Sequence, residues 1–326
     1  MKTDCRVSFV KRETAEIVPF TKDPAPLSAR GIRGKTLATL ISPGTELACY
    51  QGLLEGSVFP INPGYATVFV VKETGSEVQD IKQGDIVFCE GAHQSFQRTI
   101  REHVVPVPPG LSPFVAVFVR LMGVSMSTMV TTTARPPAPI LISGLGPVGY
   151  LAAQIFTRCG YTVTACEPDI VRQKFAASAG INVVASIPDE WKNGGIFDLV
   201  VECSGYEGAA IEGCKVVRKR GEVVLVGVPW KRRTDIFAHE LLNIIFHRYA
   251  VVRSGWEWEL PRTRTEFRNG NIFENYESAM KWLAEGSVRV EGIYEKMSPA
   301  CCQEAYQGLL HKTNEKLTVV FDWTEI

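Results

Sequence analysis

SGLGPVG, residues 143–149, follows the apolar run PAPILI (137–142) and precedes YLAAQIF (150–156), where apolar residues recur at helical spacing. A Gly-x-Gly-x-x-Gly triplet can arise by accident in a chain with 28 glycines among 326 residues, so its context decides the reading. PILIS (139–143) is of strand length, VGYLAAQIFTRC (148–159) reads as a helix ending at Gly160, and YTVTACE (161–167) is rich in β formers. That is a strand–helix–strand unit with the glycines at its first turn. Gly144 permits the turn off the strand, Gly146 lets a pyrophosphate approach the backbone, and Gly149 lets the helix pack on the sheet. The helix opening at Pro147 and Val148 offers its N–H groups to the phosphates. Glu167 ends the second strand, where an acidic side chain accepts the ribose hydroxyls and repels a 2′-phosphate. NAD(H) is therefore the expected cofactor.

The alternation continues outward from this unit. Helices are predicted near 169–179, 207–218 and 238–248, and strands near 182–186, 197–204, 222–229 and 249–255. Six strands with intervening helices imply an α/β fold with a doubly wound parallel sheet. The first 120 residues differ: KTLATLI, YATVFVVKE, GDIVFC and HVVPVP are β-branched runs broken by Gly, Pro and Asp, which predicts a mainly β module. Two further helices are expected at 273–285 and 298–311. The last strand, KLTVVFDW, is placed to return to the first module.

Hydrophobic residues make up 45% of the chain, enough for a substantial core. Lys plus Arg equals Asp plus Glu at 35 each, which leaves no net field to favour nucleic acid or an anionic membrane. The basic cluster Lys231, Arg232 and Arg233 reads as a solvated loop. Nine scattered cysteines without a C-x-x-C pair argue against a disulfide framework and a zinc knuckle, and fit a reducing cytoplasm. The charged N-terminus lacks a secretory core. Residues 111–130 are apolar at membrane length, but Arg120 and Pro113 make them a buried helix in this reading.

Several segments together resemble the medium-chain dehydrogenase/reductase superfamily of alcohol and sorbitol dehydrogenases: GTE (44–46), KQGDIVF (82–88), VPVPPGLS (105–112), SGLGPVG, VTACEPDIVRQKFA (163–176), FDLVVECSG (197–205) and GEVVLVGVP (221–229). The resemblance spans nearly the whole chain. It implies a GroES-like β-rich catalytic domain, 1–121 with 263–326, a Rossmann NAD-binding domain, 122–262, and a catalytic cleft between them. It further implies that Ser204 and Gly205 edge the nicotinamide ribose, Val228 lies near the nicotinamide, Arg172 flanks the adenosine, and strand 249–255 is the edge of a homodimer.

The chain departs from the zinc-dependent members of that family, because a catalytic zinc needs three N, O or S ligands and an open position. ISPGTE puts Pro43 in place of a cysteine, PGYAT puts Tyr65 and Ala66 in place of His-Glu, and FVRLMG puts Arg120 in place of a carboxylate. Only Cys89 falls in the structural-zinc region. No zinc is predicted, so hydrogen-bond donors or cations must stabilise the reacting oxygen. Thr45 matches the family's hydroxyl relay, Tyr65 offers a phenol as acid or base, and Arg120 offers a cation to lower its pKa from about 10. Each also has a plain structural reading as turn hydroxyl, packed aromatic and buried ion pair. His93, in GAHQSF, and Trp256 and Trp258, in SGWEWELPR, are substrate candidates whose alternatives are a structural histidine and an interface.

The leading expectation is a zinc-independent oxidoreductase moving hydride between NAD(H) and a small secondary alcohol or ketone of the sugar or polyol kind. Two others stay open: an NADPH-dependent quinone or enone reductase, and a catalytically silent NAD(H)-binding redox sensor.

Overall fold

The N-terminal β-branched runs form strands because alternate side chains can be buried on a pleated surface. In the computed structural model, which describes residues 4–313 and 315–326, β1 (Cys5–Lys11) and β2 (Thr14–Pro19) make an antiparallel pair. They are followed by β3 (Gly31–Leu40), helix α1 (Pro43–Tyr50), β4 (Thr67–Thr74), β5 (Ile86–Cys89), β6 (Phe96–Ile100) and β7 (Val104–Pro106). Strands β3, β4, β5 and β7 pair antiparallel in that order, and β6 pairs with β3. The apolar stretch 113–131 is split into α2 (Pro113–Ala116) and α3 (Val119–Thr131) and is mostly buried in the protein, as a core helix would be.

The alternating part of the sequence forms a six-stranded parallel sheet. Its elements are β8 (Pro139–Ser143), α4 (Pro147–Arg158), β9 (Thr162–Cys166), α5 (Ile170–Ser178), β10 (Asn182–Val184), β11 (Phe197–Glu202), α6 (Glu207–Val216), β12 (Val217–Leu225), α7 (Ala238–Arg248) and β13 (Val251–Ser254). The spatial order β10-β9-β8-β11-β12-β13 is the doubly wound arrangement in which the strand order reverses between β8 and β11. Leu141, Val200, Cys214, Val217 and Val223 form one core cluster of this unit. Strand β12 ends earlier than the apolar run 222–229 predicts, because Val226 and Gly227 N–H both donate to the Glu202 carbonyl and turn the chain out of the sheet.

Helix α8 (Ile272–Ala284) leads back to the β module, which β14 (Tyr294–Met297), α9 (Cys302–His311) and β15 (Thr318–Asp322) complete. As expected, the last strand returns: β15 pairs antiparallel with β3 and parallel with β14. Phe9, Tyr50, Tyr306, Phe321 and Trp323 build a buried aromatic core there, with the Phe9 and Tyr306 rings edge to face at 4.8 Å. The chain divides into residues 1–120 with 276–326, and residues 121–275. The second crossing lies inside α8 rather than at a loop.

Candidate functional site

The glycine turn does what its spacing predicts, for reasons visible atom by atom. Gly144 has φ +86°, and a Cβ on it would lie 2.9 Å from Ser204 Cβ, so the turns after β8 and β11 touch where the strand order reverses. A Cβ on Gly149 would lie 1.9 Å from the Gly144 carbonyl oxygen, which excludes any side chain there. Gly146 is the opposite case: a Cβ would meet only Arg172 Nη1, at 4.0 Å. The space over Gly146 is open, and it faces the start of α4, where Pro147 sets the first helical residue and the first-turn N–H groups have no intrahelical acceptor. This cradle fits a dinucleotide pyrophosphate.

Glu167 is only 4% exposed, and it faces the glycine loop. Its Oε2 accepts from Leu145 N–H at 2.7 Å and its Oε1 from Asp169 N–H at 3.0 Å, so the carboxylate locks the glycine turn to the end of β9. Arg172 Nη1 lies 3.6 Å from Glu167 Oε2, at the mouth of the cradle. Ser204 and Gly205 follow β11, and Gly205, at φ +62°, packs against the Val228 carbonyl; the Val228 side chain is exposed. Sequence reasoning missed the residue that shapes this turn, Glu202. Its buried carboxylate accepts from Ser204 N–H at 2.7 Å, from the Ser204 hydroxyl, and from Gly205 N–H at 3.1 Å. Burial pushes its pKa up against these donors.

In the β module, the sequence brings Thr45, Tyr65 and Arg120 together. Pro43 and Ser42 start α1, which places Thr45 in its first turn, and Tyr65 precedes β4. The Ser42 and Thr45 hydroxyls stand beside the Tyr65 phenol and favour its charged form, and the Arg120 guanidinium carbon stands 4.7 Å from its ring centroid. Arg120 is buried, with Nε 3.9 Å from Glu90 Oε1, and the Tyr276 hydroxyl donates to that oxygen at 2.7 Å. Arg120 pulls the Tyr65 pKa down as expected, but burial and the Glu46 charge push the phenol up and outweigh the pull of Arg120 and the two hydroxyls, so the phenol lies above its ordinary value. Tyr65 is a proton-bearing donor at neutral pH.

His93 is also corrected as a substrate contact. It is 0% exposed, with Nδ1 2.7 Å from Thr39 Oγ1 and Nε2 2.9 Å from Glu46 Oε2, so it belongs to the interior. Trp256 and Trp258, after β13 in the other unit, are exposed, and the Trp258 ring has the Arg262 guanidinium 5.5 Å from its centroid. Glu46 and Ser42 carry no role in the sequence reading; the signal for them is a carboxylate four residues past a helix N-cap.

The model of the zinc-binding dehydrogenase family matches residues 147–265. A sorbitol dehydrogenase from Halalkalibacterium halodurans is 28% identical over 149 residues, which are 43% of this chain and 43% of that one, so the match spans less than half of the relative's length. Among solved structures, galactitol-1-phosphate dehydrogenase from Escherichia coli superposes with a TM-score of 0.81 at 16% identity, covering 98% of this chain and 99% of its own. A zinc-binding dehydrogenase from Sinorhizobium meliloti 1021 bound to NADP gives 0.77 at 17% identity, covering 99% and 100%. Both share the fold. The family-model match covers less than half of this chain, and the solved structures show that the fold is shared along its length.

The family-model match begins at the helix after the glycine turn and does not include the three positions where the resemblance places zinc ligands. Those positions hold Pro43, Tyr65 and Arg120. A proline and a guanidinium offer no lone pair to a cation, and among the described residues no group of three His, Cys, Asp or Glu side chains is placed to hold a metal. The donor set does not fit a catalytic zinc ion.

Proposed function

We propose that this chain is a medium-chain dehydrogenase/reductase, and within that superfamily a zinc-independent, NAD(H)-dependent oxidoreductase acting on a secondary alcohol or ketone of the sugar or polyol kind. The observation that carries the proposal is the Tyr65 cluster: a phenol under the buried Arg120 guanidinium, with the Ser42 and Thr45 hydroxyls beside it, at the positions where the resemblance places a metal and its ligands. Bound nicotinamide supplies or accepts the hydride. Tyr65 holds its proton on the carbonyl oxygen in the direction of reduction and receives it back in oxidation, with Thr45 and Ser42 as the relay. Arg120 supplies positive charge as the oxygen becomes anionic, which is the part a Lewis acid otherwise plays.

Glu167 at the end of β9 supports NAD(H), because a 2′-phosphate would add charge beside a buried carboxylate. A second reading, an NADPH-dependent enone or quinone reductase, is favoured by Arg172: it stands at the same mouth, while both Glu167 oxygens already hold backbone N–H groups. We extend the proposal to a homodimer formed at β13, the outer strand of the six-stranded sheet with Val251 and Trp256 exposed beside it, and to a reducing cytoplasmic setting for nine unpaired cysteines.

The test is turnover by metal-stripped protein with NAD⁺ or NADP⁺ and sugars, polyols and secondary alcohols, and with NADH or NADPH and the matching ketones, enones and quinones, followed by nicotinamide absorbance. Metal-free turnover of a polyol or ketone with the non-phosphorylated cofactor supports the proposal. Enone reduction with NADPH alone selects the second reading. Activity appearing only on adding zinc, or silence throughout with cofactor bound, as in a sensor, overturns it.

A further inference from the structure

Glu46 is a carboxylate in the interior, only 2% exposed, and each of its oxygens is occupied. Oε1 accepts from Ser42 N–H at 2.8 Å, and Oε2 accepts from the Tyr306 hydroxyl at 2.6 Å and lies 2.9 Å from His93 Nε2. A buried charge is tolerated only with donors of this kind around it. The direction of the His93 bond follows from the far end of the network. Trp323 Nε1 can only donate, and it meets Thr39 Oγ1 at 2.9 Å; the Thr39 hydrogen is then available to His93 Nδ1 at 2.7 Å. That leaves the His93 proton on Nε2, aimed at Glu46. Thr39, His93, Tyr306 and Trp323 are each 1% exposed or less.

Two features tie this interior network to Tyr65. Ser42 is the N-cap of α1 but its hydroxyl makes no capping bond; its N–H is held by Glu46, and its hydroxyl stands on the side of the Tyr65 phenol, where it favours the charged form. On the other side, His93 N–H donates to the Pro63 carbonyl at 3.0 Å, and its ring packs so closely on Gly64, at φ +102°, that a Cβ there would lie 2.8 Å from His93 Cγ. The same histidine–carboxylate pair therefore braces both the hydroxyl loop before Tyr65's partners and the backbone immediately before Tyr65.

We propose that Glu46, clamped by His93 and Tyr306, is the positioning residue for Tyr65: it holds the Ser42 backbone at the start of α1 and, through His93, the Pro63–Gly64 backbone that carries the phenol. The inference rests on Tyr65 handling the proton, as proposed above. The charged groups facing the phenol are Glu46 from α1 and Arg120 from the start of α3, with Glu90 and Tyr276 behind Arg120 and His93 and Tyr306 behind Glu46. The Glu46 charge also favours the protonated phenol, in the same sense as burial.

The experiment uses the full chain with tyrosine ¹³C-labelled at Cζ, the Tyr65 signal being identified by its loss in Tyr65→Phe. In Glu46→Gln, the Tyr65 signal is expected to move at neutral pH and to titrate at lower pH than in the wild type, with Glu46→Asp restoring part of the change. In turnover, Glu46→Gln should lower kcat for ketone reduction about tenfold with KM little changed, and bring the alkaline limb to lower pH. An unmoved Tyr65 signal with an unmoved titration in folded Glu46→Gln overturns the proposal. Should Glu46→Gln not fold, Trp323→Phe removes only the donor to Thr39; a smaller displacement of the Tyr65 signal supports the network and none overturns it. If no substrate is turned over while the Tyr65 signal still answers Glu46→Gln, the functional proposal falls and the positioning stands.

Discussion

The glycine turn and the Tyr65 cluster are built in opposite ways. Around the turn, close packing leads and most partners are near in the chain: Gly149 lies against Gly144 of the same heptapeptide, and Glu167 reaches back to Leu145 from the next strand, while Ser204 packs on Gly144 from beyond β11. Around Tyr65, the constraints are polar and distant: Ser42, Glu46, His93, Tyr306 and Trp323 come from separate parts of the chain to brace one phenol. A turn specified by the absence of side chains can be read from a short motif. A proton-handling group specified by its neighbours' donors cannot, because its properties depend on which groups the fold sets beside it.

The difference can be broken at its strongest point first. Gly149→Val places carbon where the Gly144 carbonyl oxygen stands, so it is expected to destabilise the chain by about 3 kcal/mol or more and to abolish cofactor binding; urea unfolding and NADH fluorescence titration measure both. A wild-type midpoint in that variant would show that the turn is not held by contact. Tyr65→Phe keeps the ring against Arg120 but removes the proton, and should lower kcat by about 10²-fold or more with cofactor affinity unchanged, as steady-state kinetics and titration would report. Equal kcat would remove Tyr65 from the chemistry.

Gly146→Ala sharpens the contrast inside the turn itself. With open space above it, an alanine should change stability by no more than about 0.5 kcal/mol, while intruding on the pyrophosphate and weakening NADH binding about tenfold. The smallest effect is expected at Glu222, which is buried between the turn after α3 and β13. Burial pushes its pKa up, but the Thr133 hydroxyl and N–H and the Arg253 guanidinium outweigh this and bring it below the usual carboxylate value. Its contribution is present above the unfolded carboxylate pKa and is lost as pH falls through the lowered folded value. Glu222→Gln should therefore flatten the fall in urea midpoint between about pH 5 and pH 3, and an unchanged acid slope would assign that fall to other carboxylates.

Much of the fold was legible because hydrophobic periodicity and turn residues are local signals. The six strands and their helices fall close to where the alternation of apolar runs puts them, and KLTVVFDW returns to pair with β3. Strand β12 was less legible: its apolar run continues to Pro229, but the Glu202 carbonyl takes the N–H groups of Val226 and Gly227 and ends the ladder. His93 illustrates the same limit in the site. A histidine in a loop beside an aromatic resembles a ligand in sequence, and only the positions of Thr39 and Glu46 show that both ring nitrogens are used inside the protein.

The sequence by itself determined the class of fold, the glycine cradle, and the absence of zinc-ligand residue types at Pro43, Tyr65 and Arg120. Each of these is a matter of which atoms a residue has or lacks. The tertiary structure alone decided that burial and the Glu46 charge hold the Tyr65 phenol above its ordinary pKa, that Glu167 locks the turn, and that Glu46 stands at the centre of a buried network. Those properties arise from desolvation and hydrogen bonding between groups far apart in the chain, and such energies exist only once folding has taken the groups out of water and set them within reach of one another.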